Sequence, residues 1–207
     1  MPLSASLFFT FDGIDGTGKS TQARLFAEWL ESRGHDVVQC RDPGSTELGE
    51  QIRSILLTHS SLTIGSRSET LLYMAARAQL VEEVIQPALS SGKAVVSDRF
   101  LLANVVYQAH AGGLDAPQVW QVGAFATSGM QPLRTYLLDL DVELAASRLK
   151  GDADRMERRG TKYFEAVRNG FLTEASQQPD RIAIIDARHS IDEIQLAIRQ
   201  DAEKLGA

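Results

Sequence analysis

Residues 13–20, GIDGTGKS, constrain the fold of this chain more than any other segment. They fit the pattern G-x-x-x-x-G-K-[ST], follow the apolar run LFFTF (7–11) and precede an amphipathic helical pattern. Glycines let the backbone wrap closely around an anion, and the amides at the start of a helix favour negative charge. The order strand, glycine-rich loop and helix therefore predicts a cradle for the phosphates of a nucleoside triphosphate.

The loop also supplies side chains that suit a magnesium–nucleotide complex. Lys19 can reach the β- and γ-phosphates, and the Ser20 hydroxyl can bind Mg²⁺. The alternative is a glycine-rich turn with a fortuitous lysine, which would need motif and context to coincide by chance. The predicted ATP-binding residues are Gly13, Ile14, Asp15, Gly16, Thr17, Gly18, Lys19, Ser20 and Thr21.

Five short apolar runs alternate with longer helical patterns along the 207 residues. Near-continuous apolar runs are typical of parallel strands that are covered on both faces. The chain is therefore predicted to be an α/β protein: a three-layer α/β/α sandwich with a five-stranded parallel sheet, forming a single domain over residues 1–207. The candidate strands are LFFTF (7–11), DVVQC (36–40), AVVSD (94–98), TYLLDL (135–140) and RIAIID (181–186).

Several local signals refine this prediction. Gly34 suits the end of the first helix, Pro87 suggests a kink in the helical pattern of residues 68–92, and Ser190 with Glu193 forms a capping-box pattern. The densely charged stretch 149–162 has no apolar period. It is predicted to be a mobile lid, with a solvated connection between helices as the alternative.

Composition excludes several classes of protein. The formal net charge is −6, with 27 acidic against 21 basic side chains, which disfavours a general nucleic-acid binder. Cys40 is the only cysteine, and a buried strand residue is a better interpretation than a catalytic thiol. The four histidines lack ligand-like spacing. With neither a signal peptide nor a membrane span in its pattern, the chain is expected to be cytoplasmic.

The segment VVSDRF (95–100) narrows the reaction class. A GTPase switch would need a guanine-reading N-K-x-D, which the chain lacks, and a motor ATPase usually ends this strand in adjacent acids. Here Asp98 can hold a metal-bound water, and Arg99 could bind a second anion. The alternative is that Asp98 and Arg99 form an ion pair on the surface. Further arginines at 41, 53 and 77 fit transfer to a monophosphate, because an anionic acceptor needs cations more than a base.

Five segments together resemble one family, the thymidylate (dTMP) kinases of the bacterial type. They are GIDGTGKST, RDPGST, YMAAR, DRFLLANVVYQA and DRME, in the family's order and with similar spacing over residues 7–171. The resemblance implies a fold like that of the P-loop nucleoside monophosphate kinases, with residues 1–207 as a single P-loop kinase domain. It also implies phosphoryl transfer from ATP to dTMP, giving dTDP and ADP in dTTP biosynthesis. Mg²⁺ would be the cofactor, with no nucleic-acid or membrane partner, and the protein would be a homodimer.

The resemblance also implies roles for individual residues. Arg53 and Arg99 would hold the 5′-phosphate of dTMP, and Tyr73 would stack on thymine. Tyr107 would crowd the 2′ position of the ribose. The implied substrate-binding residues are Asp15, Asp42, Arg53, Tyr73, Arg77, Arg99, Asn104, Tyr107 and Gln108, with Arg77, Asn104 and Gln108 on the base and Asp15 and Asp42 near the sugar or metal.

Members of this family place a catalytic arginine either in the P-loop or in the lid. Position 16 is glycine here, so the chain resembles the lid-arginine type. Arg155, in DRME, is then the implied lid arginine, although Arg148, Lys150, Arg158 and Arg159 lie nearby. The implied catalytic residues are Lys19, Arg99 and Arg155, and the implied metal residues are Ser20 and Asp98.

The chain departs from the family pattern at several positions. Asp12 and Asp42 stand where glutamate is usual, Ser45 replaces a glycine, and Tyr73 replaces a phenylalanine. Two other functions stay open at this point. A deoxynucleoside kinase would phosphorylate a neutral hydroxyl with Asp42 as a base. A non-catalytic ATP-binding switch would lack a second-substrate pocket.

Overall fold

The computed structural model describes residues 7–58, 62–149 and 160–207, and within them five parallel strands form one sheet. The strand order is β2-β3-β1-β4-β5, so the first strand lies in the middle of the sheet. This confirms the predicted α/β fold with a parallel sheet. The strands are β1 (Phe8–Asp12), β2 (Val37–Arg41), β3 (Ala94–Asp98), β4 (Arg134–Asp139) and β5 (Ile182–Asp186).

The strand order sets the place of the functional site. β1 pairs with β3 on one side and with β4 on the other, so the chain reverses its direction of winding at β1. In open parallel sheets, ligands bind at the carboxyl ends of the strands next to such a reversal. The P-loop follows β1, and Asp98 ends β3, so both lie at this edge.

Helices cover both faces of the sheet. The sequence analysis did not predict α2. Its start signals are nevertheless present: Thr46 caps the helix by accepting from the Gly49 amide, and Glu47 and Glu50 lie in its first turn. The α-helices are α1 (Lys19–Ser32), α2 (Glu47–Leu57), α3 (Ser66–Leu80), α4 (Gln86–Ser90), α5 (Leu101–Asn104), α6 (Ala116–Ala126), α7 (Val142–Arg148), α8 (Thr161–Gln177) and α9 (Ile191–Lys204).

Two helical runs contain a π-helical segment. Val81–Ile85 joins α3 to α4 and ends two residues before Pro87, so the hydrogen-bond pattern changes near the point where proline has no N–H to donate. This is where the sequence indicated a kink. A second segment, Val105–His110, continues α5 and was not predicted. π-Helical turns are frequent at functional sites, and this one carries Tyr107 and Gln108.

The core lies on both sides of β1, whose five residues are all buried. Phe9 packs edge-on against Phe26 of α1 at 5.0 Å between ring centroids, and Tyr136 of β4 stacks on Phe9 at 6.2 Å. On the opposite face, Phe8 meets Phe100 edge-on at 5.1 Å. Burial on both faces is the physical reason that this strand reads as a continuous apolar run.

The last helix and the predicted lid can be compared with the sequence analysis. Ser190 and Glu193 form the predicted capping box at the start of α9. The predicted lid at 149–162 lies mostly outside the described residues, and its last two residues, Thr161 and Lys162, belong to the first turn of α8. No helix in the described ranges combines the length and apolar character needed to cross a bilayer.

Candidate active site

The P-loop is pressed against the neighbouring strand and helix. Gly13 has φ +138°, and a Cβ there would lie 2.5 Å from the Leu138 carbonyl oxygen of β4. Gly16 has φ +86°, and a Cβ there would lie 2.2 Å from the Ala145 carbonyl oxygen of α7. Only glycine fits both positions, and this backbone leaves no room for an arginine at position 16.

Lys19 begins α1 and is only 6% exposed. Its Nζ donates to the Ile14 carbonyl at 2.8 Å and lies 3.3 Å from Asp15 Oδ1. Burial and the nearby Arg99 charge lower the pKa of Lys19, against the opposing charge of Asp15. The ammonium is therefore held within the loop by the Ile14 carbonyl and the Asp15 carboxylate.

Ser20 and Asp98 form an oxygen pair beside the loop. The Ser20 hydroxyl donates to Asp98 Oδ2 at 2.5 Å, which joins α1 to the end of β3. Hydroxyl and carboxylate oxygens are the ligands that Mg²⁺ takes, and Mg²⁺ commonly uses one or two protein groups with phosphates and water completing the shell. The donor chemistry of this pair fits Mg²⁺ bound in that way. Among the described residues, no group of three or more His, Cys, Asp or Glu forms a metal cluster.

Arg99 connects the P-loop to the opposite wall of the site. Its Nη2 donates to Asp15 Oδ1 at 2.6 Å and its Nη1 to the Gly13 carbonyl at 3.1 Å, while its guanidinium carbon lies 5.2 Å from the Tyr107 ring centroid. The charges of Arg99 and Lys19 outweigh burial and hold the pKa of Asp15 well below its usual range. Arg99 has φ +68°, a left-handed conformation that is uncommon outside glycine and concentrates at functional sites.

Two cavities meet at this arginine. The first, of about 440 Å³, is bounded by the P-loop with Asp98 and Arg148. The second, of about 230 Å³, extends toward α3 and the π-helical segment Val105–His110. Both cavities are lined by the same four residues at their junction: Asp15, Asp42, Arg53 and Arg99.

The structure brings most of the predicted residues to one of these cavities. The first is lined by Asp15, Gly16, Gly18, Lys19, Ser20, Thr21 and Asp98, among others. Gly13, Ile14 and Thr17 lie behind the loop surface, where the Ile14 carbonyl accepts from Lys19 and from the Thr17 hydroxyl. Arg155 lies outside the described residues. The second cavity is lined by Asp15, Asp42, Arg53, Tyr73, Arg77, Arg99, Asn104, Tyr107 and Gln108, among others.

Arg77 forms the floor of the second cavity and is only 1% exposed. Its Nε donates to Asp42 Oδ2 at 2.5 Å, and its Nη2 donates to Asn104 Oδ1. Its guanidinium carbon also lies 5.5 Å from the Phe100 ring centroid. A buried arginine with this many partners is fixed in place, so the floor of the cavity is rigid and polar.

Asp12 and Asp42 carry buried carboxylate oxygens that lack a hydrogen-bond partner among the described residues. Both oxygens of Asp12 are in this position, as is Oδ1 of Asp42. Burial raises the pKa of Asp12 to about 7, although the Arg99 and Lys19 charges oppose the rise. Buried polar atoms of this kind are rare and mark sites that bind ligands or store strain.

Two residues outside the predicted set of site residues, Arg148 and Glu69, also lie at or next to the cavities. Arg148, named in the sequence only as a lid cation, lines the first cavity and donates to the Ala187 carbonyl at 3.1 Å. Glu69 accepts a hydrogen bond from Gln108 at 3.1 Å, and no motif in the sequence indicated this contact. Cys40 is buried in β2, as predicted, and burial raises its pKa to about 12.

Comparison with known proteins identifies the family. A family model described as "Thymidylate kinase" matches residues 11–198. The chain is 48% identical over 185 residues to a thymidylate kinase of Rhodopirellula baltica, covering 89% of this chain and 75% of the relative. It is 42% identical over 201 residues to a thymidylate kinase of Symbiobacterium thermophilum, covering 97% of this chain and 94% of the relative.

The chain belongs to the thymidylate kinase family. A solved structure of thymidylate kinase from Ehrlichia chaffeensis superposes with a TM-score of 0.77 at 29% identity, covering 95% of this chain and 98% of that one. The family that the five motifs indicated is therefore confirmed, as is the kinase fold. The Ala145 carbonyl fills the space beside Gly16, so the structure explains why position 16 carries a glycine and not an arginine.

Proposed function

We propose that this chain transfers the γ-phosphoryl group of ATP to dTMP, giving dTDP and ADP, as a cytoplasmic step in nucleotide biosynthesis. The observation that carries the proposal is the junction of two cavities at Arg53 and Arg99. A donor phosphate cradled by the P-loop and an acceptor phosphate in the second cavity would meet there. Two arginines at the junction suit the meeting of two anions, which otherwise repel.

The donor side is assigned to the P-loop. Its amides and Lys19 would bind the triphosphate, and Ser20 and Asp98 would hold Mg²⁺, the metal supplying charge neutralisation of the β- and γ-phosphates. Arg148, which lines this cavity beside Gly16 and Ala187, would border the nucleoside of ATP.

The acceptor side is assigned to the second cavity. Arg99 and Arg53 would hold the dTMP phosphate, and Tyr73 from α3 would face the thymine ring. Arg77, Asn104 and Gln108 would contact the base edge, while Tyr107 would crowd the 2′ carbon. Asp15 and Asp42 would border the sugar. Support comes from the fact that all of these side chains line one cavity of about 230 Å³.

The reaction needs no added base. An oxygen of the dTMP phosphate attacks the γ-phosphorus, the bond from that phosphorus to the β,γ-bridging oxygen breaks, and the electron pair leaves on ADP. Lys19 and Arg99 neutralise the charge that spreads over the transferred group, and Arg155 is assigned the same role from the lid. Closure of a lid over residues 149–162 would exclude water as a competing acceptor.

The deoxynucleoside kinase alternative requires Asp42 to act as a base toward a 5′-hydroxyl. Its side chain is fully buried, and Oδ2 is bonded to the Arg77 guanidinium at 2.5 Å. This bond leaves only Oδ1, which has no partner among the described residues, to accept a substrate proton. A neutral acceptor would also not need two arginines, Arg53 and Arg99, at the junction of the cavities.

An assay of ADP formation with dTMP and thymidine side by side tests the proposal. Turnover of dTMP with ATP and Mg²⁺, and none of thymidine, is expected; turnover of thymidine alone would overturn it. Lys19→Ala should lower kcat by at least about 100-fold while the thermal unfolding transition stays cooperative. Arg24→Ala, an exposed arginine on the same helix, serves as the control and should retain full activity.

We also propose that the protein is a homodimer. Large apolar side chains are exposed on α3 and on the two helices that pack against it, α2 and α6. They are Leu48 and Ile55 on α2, Leu71 on α3, and Val122 and Phe125 on α6, with Phe125 89% exposed. Exposed apolar side chains on three neighbouring helices fit a two-fold interface, in which the same surface of two copies is buried.

A further inference from the structure

The P-loop rests against one stretch of chain, residues 138–145, which runs from the end of β4 through a turn into α7. We call this stretch the loop support. The Leu138 carbonyl lies against Gly13 and the Ala145 carbonyl lies against Gly16, both too close to leave room for a side chain on either glycine. The shape of the P-loop therefore depends on where both ends of the loop support lie.

The two ends of the loop support are not equally fixed. Leu138 lies inside β4, which is paired with a strand on each side. α7, in contrast, has seven residues, and Ala145 is the only one of the seven that is buried. A helix this short is not stable by itself, and the burial of one alanine adds little packing energy. The position of α7 must therefore depend on other contacts.

Arg168 of α8 supplies such a contact in the turn between β4 and α7. Its Nε donates to Asp139 Oδ1 at 2.7 Å and its Nη2 to Asp139 Oδ2 at 2.9 Å, while its Nη1 donates to Asp141 Oδ1. Asp139 ends β4, and Asp141 is the N-cap residue of α7. One guanidinium thus joins the end of the strand to the start of the helix.

The carboxylates of Asp139 and Asp141 pair with no other side chain in the described ranges of the chain. An N-cap aspartate usually accepts from the first turn of its own helix, but the Asp141 side chain makes no such bond. The bidentate bond fixes the guanidinium on Asp139, so its third nitrogen holds the start of α7 through Asp141. At the other end of α7, Arg148 donates one bond to the Ala187 carbonyl.

We propose that Arg168 is a positioning residue for the donor nucleotide: by holding the start of α7, it keeps the Ala145 carbonyl against Gly16 and the P-loop in its phosphate-binding shape. Arg168 itself lines neither cavity. The proposal rests on the proposed function only in taking the P-loop as the site of the donor phosphates. A loop that is ordered before binding loses less conformational entropy when the nucleotide binds.

The acceptor side should not respond to the loss of this contact. α8 is anchored in the core by Val167 and Phe171, which lie on either side of Arg168 in the sequence and are at most 1% exposed. Removal of the guanidinium should therefore leave α8 in place, and with it the segment Val105–His110 of the second cavity. A general loss of structure would weaken both sites, whereas loss of the loop support should weaken only the donor site.

Arg168→Met tests the proposal because it keeps an unbranched apolar side chain and removes the guanidinium. Isothermal titration calorimetry would measure the Kd of MgADP and, separately, the Kd of dTMP. The Kd of MgADP is expected to rise about fivefold or more, whereas the Kd of dTMP stays within about twofold of wild type. Glu143→Gln, at an acidic residue in the first turn of α7, is the control and should change neither value.

Two further variants separate positioning from a merely structural role. Arg168→Lys keeps the charge but not the planar set of donors, so its Kd for MgADP should lie between those of wild type and Arg168→Met. Asp141→Ala removes the bond to α7 from the other side, and it should also raise the Kd of MgADP. Combined with Arg168→Met it should raise that Kd no further than Arg168→Met alone, because both substitutions remove the same bond.

The outcomes are distinct. An unchanged Kd of MgADP in folded Arg168→Met, or an equal rise in the Kd values of MgADP and dTMP, would overturn the role of Arg168. If Arg168→Met does not fold, Asp141→Ala, at a side chain that is 57% exposed, decides in the same way. A wild-type protein that binds MgADP but does not phosphorylate dTMP would instead overturn the proposed function, and the MgADP comparison would still decide the role of Arg168.

Discussion

At the scale of single residues, Asp12 is the site's most unusual group. It ends the central strand, lies fully buried beneath the P-loop, and neither carboxylate oxygen has a partner among the described residues. Its position beside Lys19 and Arg99 places one acidic group under the two cations that are proposed to act on phosphate. Its protonation therefore links the pH to the stability of the site.

This link predicts a pH dependence of stability. Unfolded Asp12 loses its proton near 3.8, whereas the pKa of the folded residue is about 7. Between these values the folded state binds one more proton, so the residue's contribution lowers the free energy of unfolding as pH rises, by at most about 1.4 kcal/mol per pH unit. Asp12→Asn should therefore gain stability relative to wild type from pH 4 to pH 7 and hold a constant advantage above pH 7.

Urea unfolding at several pH values checks this prediction, with exposed Asp36→Asn as the control for removing one surface charge. Stability curves of Asp12→Asn and wild type that run parallel from pH 4 to 7 would show that Asp12 does not bind a proton in this range.

Arg99 offers a second test at this scale. Because its fork holds Asp15 and faces both cavities, Arg99→Ala should raise the KM for dTMP more than the KM for ATP and lower kcat/KM for dTMP by about 100-fold. Arg99→Lys keeps the positive charge but not the planar set of guanidinium donors. Its kcat/KM for dTMP should lie between those of wild type and Arg99→Ala. Steady-state kinetics with each substrate varied in turn measures the effect. Equal changes in both KM values would contradict the placement of Arg99 on the acceptor phosphate.

At the scale of elements, one wall of the second cavity is the π-helical segment Val105–His110, which packs against α8. Tyr163 of α8 donates to the Tyr107 carbonyl at 3.1 Å, and His110 Nε2 lies 2.7 Å from Glu174 Oε1. Gly170 allows the close approach, since a Cβ there would lie 2.7 Å from the His110 Cβ. The segment that carries Tyr107 and Gln108 is thus held by a helix whose first two residues are the last two of the predicted lid.

Gly170→Val should push this contact apart. Overpacking of this kind costs about 1–3 kcal/mol, and the KM for dTMP should rise while the KM for ATP stays near the wild-type value. Gly65→Val, at an exposed glycine with open space around its Cα, is the matched control. Thermal unfolding and steady-state kinetics measure the two effects. A fully stable Gly170→Val with unchanged kinetics would show that α8 does not hold the segment.

At the scale of the whole molecule, the apolar face on α2, α3 and α6 predicts the oligomeric state. Phe125→Asp places a charge on the most exposed of the large apolar side chains among the described residues and should convert the dimer to a monomer. Leu196→Asp, on exposed α9, is the control and should leave the mass unchanged. Sedimentation velocity measures the mass directly. A wild-type protein that sediments as a monomer would contradict the proposed dimer.

The sequence predicted the local elements well because their signals are local. β3 was placed at its exact bounds, and the other strands to within one residue, since buried parallel strands read as continuous apolar runs. The P-loop was also evident, because its glycines must occupy fixed positions. In contrast, α6 and the π-helical segment Val105–His110 were missed, because the periodicity of short helical runs is weak and a π-turn adds a residue to the helical repeat.

The sequence by itself determined the five strands in order, the glycine-rich loop after the first of them and, through its motifs, the family. Only the tertiary structure decided which side chains meet: the pairing of Asp42 with Arg77, the hydrogen bonds that join Asn104, Gln108 and Glu69, and the junction of two cavities at Arg99. The reason is physical. A backbone motif requires particular residues close together in the chain, whereas a buried hydrogen bond joins residues that are distant in sequence and leaves no periodic trace.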